Sequence, residues 1–133
     1  MATNKADGVA KAAKILRDAY DSGKPCPPVR DILGGGVDAA YAVKNANTEF
    51  WLGKGRRLIG RKIGVSSKAA QARFGADHPD FGMLFADMVF GDGQEIAFSS
   101  VLQPRVEAEV AFCVGDNLDV AQLTICDMIE AKV

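Results

Sequence analysis

The sequence predicts an α+β chain, with a helical N-terminal region over residues 1–55 and the first part of a β-rich domain over residues 56–133. Three observations carry that prediction. Apolar residues recur at three- and four-residue steps through the first fifty positions. They recur at two-residue steps around residue 110, and the texture changes between these stretches, after Gly55. Helices and strands segregated along a chain define the α+β class.

The elements follow in order. Val9, Ala12, Ala13, Leu16 and Tyr20 form one apolar stripe of a first helix, which Gly23 can stop. Lys24-Pro25-Cys26-Pro27-Pro28 cannot continue it, because proline lacks the amide donor and collides with the preceding turn. A second helix is expected from about Val37 to Leu52, led in by Gly34-Gly35-Gly36, with Ala39, Val43, Ala46 and Phe50 on one side. Arg57–Gly64 reads as a strand. Ser66 or Ser67 can cap a short helix through Arg73 by accepting from free amides of the first turn. Gly75–Asp80 reads as a loop, followed by the apolar stretch Met83–Val89, a turn at Gly91-Asp92-Gly93 and a strand at Glu95–Phe98. Arg105–Val114 is the clearest strand, with Val106, Ala108, Val110 and Phe112 on a core face and Glu107, Glu109, Ala111 and Cys113 opposite. Gly115-Asp116-Asn117 ends it. Thr124 and Asp127 have capping-box spacing, and Ile125, Met128 and Ile129 begin an apolar face. The chain stops about two turns later, as if cut in mid-element.

Composition narrows the function classes. Of the 64 hydrophobic residues, 20 are alanine, and the 44 larger ones are enough for one modest core. A formal net charge of −1 argues against a dedicated nucleic-acid binder. No apolar run approaches the ~18 residues of a membrane span, and the polar start has no signal-peptide core. Cys26, Cys113 and Cys126 are odd in number and far apart, so neither a disulfide framework nor a zinc site is expected. The expectation is a cytoplasmic metabolic protein.

Glu107 and Glu109 are the sharpest chemical feature. Two carboxylates two apart on a strand project to one side, within reach of one hard cation such as Mg²⁺ or Mn²⁺. The plain alternative is a solvated strand face, although Ala111 and Cys113 continue the same face and suggest a site wall. Lys62 lies in Gly60-Arg61-Lys62-Ile63-Gly64, flanked on its own face by two glycines that leave the amine unobstructed. Its alternative is a solubilising lysine on an edge strand. A basic patch of Lys54, Arg56, Arg57, Arg61 and Lys62 is interleaved with apolar strand positions, which disfavours nucleic acid. Asp80, between Pro79 and Phe81, has an apolar neighbour suited to acid/base work, or simply forms a turn. His78 reads as a surface residue. Gly55 and Gly60 have phosphate-loop spacing, but Arg61-Lys62 stands where Lys-Ser/Thr is required. Asp80-Phe81-Gly82 spells a kinase triplet in a chain too short for a kinase.

Three blocks together resemble a known family. Gly60–Gly64, the stretch Pro79-Asp80-Phe81-Gly82-Met83-Leu84-Phe85-Ala86-Asp87-Met88, and Leu102-Gln103-Pro104-Arg105-Val106-Glu107-Ala108-Glu109 through Phe112 look like the 2-oxopent-4-enoate (2-hydroxypenta-2,4-dienoate) hydratases. These are grouped with the 4-oxalocrotonate decarboxylases in the fumarylacetoacetate hydrolase superfamily. Ala40-Tyr41-Ala42-Val43 extends the resemblance into the second helix. The second and third blocks look more like the hydratases than the decarboxylases.

The resemblance implies a mixed β-sandwich or β-roll domain after the helices, here truncated. It implies a divalent metal held by three carboxylates, with Glu107 and Glu109 matching two and the third downstream of Val133. It implies Lys62 and Asp80 as the proton-transfer positions, a small 2-oxo or 2-hydroxy-dienoate substrate, and a homo-oligomer. The implied reaction is hydration to 4-hydroxy-2-oxopentanoate in the meta-cleavage breakdown of aromatic compounds. The rivals are a decarboxylase, a metal-dependent hydrolase of an acylpyruvate, and an inactive half-domain. The chain alone, lacking a third ligand, is expected to be inactive.

Overall fold

The computed structural model describes residues 5–34, 36–115, 117–119 and 121–131, in two compact units, Met1–Gln103 and Pro104–Val133. In the first unit, helix α1 (Lys5–Ser22) packs against α3 (Val37–Gly53). Ala12, Ala13 and Val43 are buried at the contact, rimmed by Val9, Val29, Leu33 and Ala46. Alanine at the seam lets the helices approach closely, and the core is correspondingly small. Leu16 and Tyr20, on the expected stripe, lie at its exposed edge. Arg17 ties the pair from the side: its Nη1 donates to Asn47 Oδ1 at 2.6 Å, and its guanidinium lies 4.3 Å from the Phe50 ring centroid. Gly23, at φ +64°, ends α1 in the left-handed conformation that glycine adopts freely.

A four-residue helix, α2 (Arg30–Leu33), follows the proline-rich break, in a stretch where no element was expected. One turn is too short to show a period. Gly8 of α1 admits it, because a Cβ there would come within 3.0 Å of the Ile32 carbonyl oxygen. Of the glycines expected to lead into α3, Gly35 lies outside the described residues, and Gly36 forms the N-cap.

Strands β1 (Leu58–Gly64) and β2 (Asp80–Phe85) pair antiparallel, with Gly60 opposite Leu84, Lys62 opposite Gly82 and Gly64 opposite Asp80. An irregularity between Leu58 and Gly60 shifts the register there. Between the strands, α4 (Lys68–Phe74) starts at Ser67, whose hydroxyl accepts from the Ala70 amide at 3.1 Å as the sequence predicts. Asp80 is the first residue of β2 and not part of a loop. The expected loop ends sooner because Asp80-Phe81 already finds ladder partners in Ile63-Gly64.

Arg56 joins the helices to the sheet. Its guanidinium lies 4.4 Å from the centroid of Phe85, 5.0 Å from Trp51 and 6.0 Å from Tyr20. It also pairs with Asp87, Nε to Oδ2 at 2.9 Å, from the 3₁₀ turn Ala86–Met88. The Arg56 side chain is only 14% exposed.

Two expected strands are not formed. Glu95–Phe98 gives way to a 3₁₀ turn at Phe98–Ser100 with Phe98 exposed. In the second unit, residues 104–115 pair with no strand among the described residues. Val106 is 99%, Val110 80% and Phe112 67% exposed, so the expected core face is uncovered. Alternation decides which side chains share a face, but ladder hydrogen bonds make a strand, and here no neighbour supplies them. Asp116, expected in the terminating turn, lies outside the described residues. Helix α5 (Ile125–Glu130) begins at the predicted capping box: the Asp127 amide donates to Thr124 Oγ1 at 3.3 Å, and the Thr124 amide to Asp127 Oδ2 at 2.7 Å. The side chains of Met128 and Ile129 lie outside the described set.

Arg56→Met, which keeps an apolar stem and removes the charge, should lower the unfolding free energy by about 1–2 kcal/mol from the ring contacts, read by urea unfolding at pH 7. The hydrogen bonds from Arg56 hold the Asp87 carboxyl below its ordinary range. A carboxyl depressed in the folded state stabilises above its unfolded pKa, and that contribution disappears as pH falls through the folded value. Asp87→Asn should therefore flatten the acid side of the stability–pH profile.

Candidate active site

The antiparallel register sorts the side chains of β1 and β2 onto two faces. Gly60, Lys62 and Gly64 share one face with Leu84, Gly82 and Asp80. Arg61 and Ile63 share the other with Met83 and Phe81.

On the first face, Lys62 and Asp80 converge. A Cβ built on Gly64 would collide with Asp80 Oδ1 and would lie 3.3 Å from Lys62 Nζ. The ammonium and the carboxylate therefore meet over the backbone of Gly64. The Lys62 stem runs across Gly82, where a Cβ would find Lys62 Cγ at 3.4 Å. Both side chains are exposed on this face. The sequence foresees the glycines beside Lys62. It does not foresee that Gly64 lies opposite Asp80, because that depends on a register set across the intervening α4. An amine and a carboxylate a few ångströms apart can pass a proton to a substrate or hold its oxyanion.

The corner after Gly64 is strained. Val65 has φ +54°, a conformation costly for a β-branched residue, by about 1–3 kcal/mol. Its carbonyl accepts from Gln71 Nε2 at 3.2 Å, and buried Gln71 is held in turn by Lys68 Nζ on Oε1 at 3.0 Å.

The second face borders a cleft of about 600 Å³ against α3, lined by Tyr41, Lys44, Val65, Phe74 and Phe81 among others. Lys44 Nζ lies 3.6 Å from the Phe81 centroid and 4.3 Å from that of Tyr41, and the two rings are 5.1 Å apart. Among the described residues the buried Tyr41 hydroxyl finds no hydrogen-bond partner. The sequence does not foresee this cluster, since Tyr41 and Lys44 show there only as neighbours on one helix face, without their strand partner. His78, expected at the surface, is exposed, with Nδ1 2.9 Å from the Pro79 carbonyl oxygen.

Glu107 and Glu109 lie in the second unit, both exposed, on a segment without ladder pairing. Their carboxylates are hard donors of the kind Mg²⁺ or Mn²⁺ takes. Among the described residues no group of three His, Cys, Asp or Glu side chains is placed to hold a metal ion. The donor chemistry fits a hard cation, and the number of donors falls short. Ala111 and Cys113, expected as a site wall, are exposed, and all three cysteines are free. No helix among the described residues is long and apolar enough to cross a membrane.

No family model matches the chain. Curated proteins do, and they are hydratases. The TodF product hydratase of Pseudomonas putida is 50% identical over 130 residues, covering 97% of this chain and 48% of that protein. The 2-keto-4-pentenoate hydratases 2 and 1 of Dechloromonas aromatica are 49% and 50% identical, over 97% and 90% of this chain and 50% and 46% of their own lengths. The chain is thus a homologue of the 2-keto-4-pentenoate hydratases, and it spans about half the length of the curated relatives it matches.

Burial disfavours the charged form of Lys44 and Arg61 adds repulsion, so its pKa is lowered. A lysine depressed in the folded state weakens folding below its folded pKa, and the penalty fades as pH rises toward the unfolded value. Lys44 should titrate below the ordinary lysine value in a side-chain NMR experiment. Arg61→Gln should raise it only part of the way, because desolvation is the larger cause.

Proposed function

We propose that this chain carries the proton-transfer pair and two metal ligands of a metal-dependent hydratase. The reaction adds water to 2-hydroxypenta-2,4-dienoate, through its 2-oxo tautomer, to give 4-hydroxy-2-oxopentanoate in meta-cleavage aromatic catabolism. The observation that carries the reading is the convergence of Lys62 and Asp80 over Gly64, in a chain about half identical to hydratases. Its setting is a cytoplasmic homo-oligomer whose β-domain is completed by sequence outside these 133 residues.

Glu107 and Glu109 would hold Mg²⁺ or Mn²⁺ together with a third carboxylate outside this chain. When bound, the cation supplies Lewis acidity toward the oxygens of a 2-oxo acid. The work of the chain's own residues is proton handling. Ketonising the dienol moves a proton from the 2-hydroxyl to carbon. Adding water at C4 leaves a further proton to be placed on the neighbouring carbon. Lys62 and Asp80, side by side on an exposed sheet face, can give and take those protons or steady the developing oxyanion.

The full-length protein with Mg²⁺ or Mn²⁺ should consume the dienoate, seen as loss of its absorbance, with 4-hydroxy-2-oxopentanoate as product, whereas residues 1–133 alone should not. Carbon dioxide released from 4-oxalocrotonate, without hydration, would instead assign a decarboxylase. Lys62→Ala and Asp80→Asn in the full-length protein should each lower turnover by about 10²–10⁴-fold. Calorimetric metal affinity should stay close to the parent's, since neither residue is assigned to the metal. Loss of metal binding in either variant would mark it as a ligand instead.

A further inference from the structure

Gly64 has no conformational reason to be glycine. It is the last residue of β1, and its φ lies outside the left-handed region that excludes other residues. Its reason is steric, and it is specific to one neighbour. On the same sheet face, a Cβ on Gly60 would meet only Leu84 Cδ1 at 3.9 Å, and one on Gly82 would meet the Lys62 stem at 3.4 and 3.7 Å, both ordinary contacts. At Gly64 alone the space of a side chain is already filled, by the carboxylate of Asp80, with Lys62 Nζ beside it. The next residue is fixed as well. Val65 is held in its left-handed conformation next to the hydrogen bond from buried Gln71, so the strand end has little freedom to retreat.

We infer that Gly64 is a positioning residue: its missing side chain is the seat of the Asp80 carboxylate, and this seat sets the approach of Asp80 to Lys62. The catalytic consequence rests on the reading of Lys62 and Asp80 given under the proposed function. The steric part does not. An alanine at position 64 must push the carboxylate off its seat, because the colliding atom is the far end of the exposed Asp80 side chain, which can turn away while the β1–β2 register stays in place. Displacement by about 1 Å is enough to cost on the order of 10²-fold in rate when a reacting group is moved out of line.

The test is a double-mutant cycle in the full-length protein: Gly64→Ala, Asp80→Ala, both together, and Gly60→Ala for comparison. Thermal unfolding and steady-state kinetics are read for each. Gly64→Ala should lower the melting temperature only slightly when Asp80 is present, since an exposed carboxylate can turn aside, and not at all in the Asp80→Ala background. Gly60→Ala should melt close to the parent, since alanine in a strand is at least as favourable as glycine where space allows. In turnover, Gly64→Ala should reduce kcat by about 10²-fold with little change in KM, and the double variant should be no slower than Asp80→Ala alone. Equal destabilisation by Gly64→Ala in both backgrounds would overturn the seat. So would additive losses in kcat, which would show Gly64 acting independently of Asp80. If instead the stability coupling appears while Asp80→Ala keeps full turnover, the assignment of Asp80 in the proposed function is what fails. The catalytic part of this inference then falls with it, and the steric part stands.

Discussion

The first unit depends on one cation. Helices α1 and α3 meet through a seam of alanines and a single valine, and such a seam has little apolar area with which to hold a two-stranded sheet as well. Arg56 supplies the missing connection. It follows α3 directly and precedes β1, so the sheet begins at the point where the guanidinium is fixed. Rings from α1, α3 and β2 surround it, and Asp87 satisfies it from the far end of β2. A planar cation can use ring faces and a carboxylate together, which a lysine ammonium does less well. The backbone reinforces the tie, because the Ala86 amide donates to the Arg57 carbonyl at 2.9 Å. The Leu58–Phe85 end of the strand pair is thus fixed to the helices, and the face carrying Lys62 and Asp80 is left exposed.

Local chemistry was legible in the sequence, and pairing was not. The helices of 5–22 and 37–53 follow from their stripes, the helix at 68–74 from Ser67, and the capping box from Thr124 and Asp127. Each signal lies within a few residues of what it specifies. The strand expected at 105–114 had the strongest alternation in the chain and is unpaired, because alternation says nothing about whether a neighbour exists. The polar, proline-containing run before Asp80 reads as loop, and the partner that draws Asp80 into β2 lies sixteen residues earlier, at Gly64.

The same division runs through the candidate site. The glycines about Lys62 were readable as a cleared space, yet the tenant of that space was Asp80, known only from the register. The cluster of Tyr41, Lys44 and Phe81 was invisible for the same reason: two members sit three apart on α3 and the third arrives on β2. Glu107 and Glu109 are a different case. Their spacing and chemistry are plain in the sequence, while their setting requires donors and strand neighbours that the described residues do not supply.

Lys62 and Asp80 are brought together by a connection of fewer than twenty residues, seven of them in the capped α4. Closing such a loop is entropically inexpensive, and a connecting helix that forms on its own shortens it further. The amine–carboxylate pair is therefore a product of nearby sequence, able to assemble while the chain is still being synthesised and before Glu107 has left the ribosome. A cation site built from Glu107, Glu109 and a more distant carboxylate has the opposite character, since it waits for long-range pairing. In such a protein the two halves of the chemistry would mature at different times, with the proton-handling half in place first.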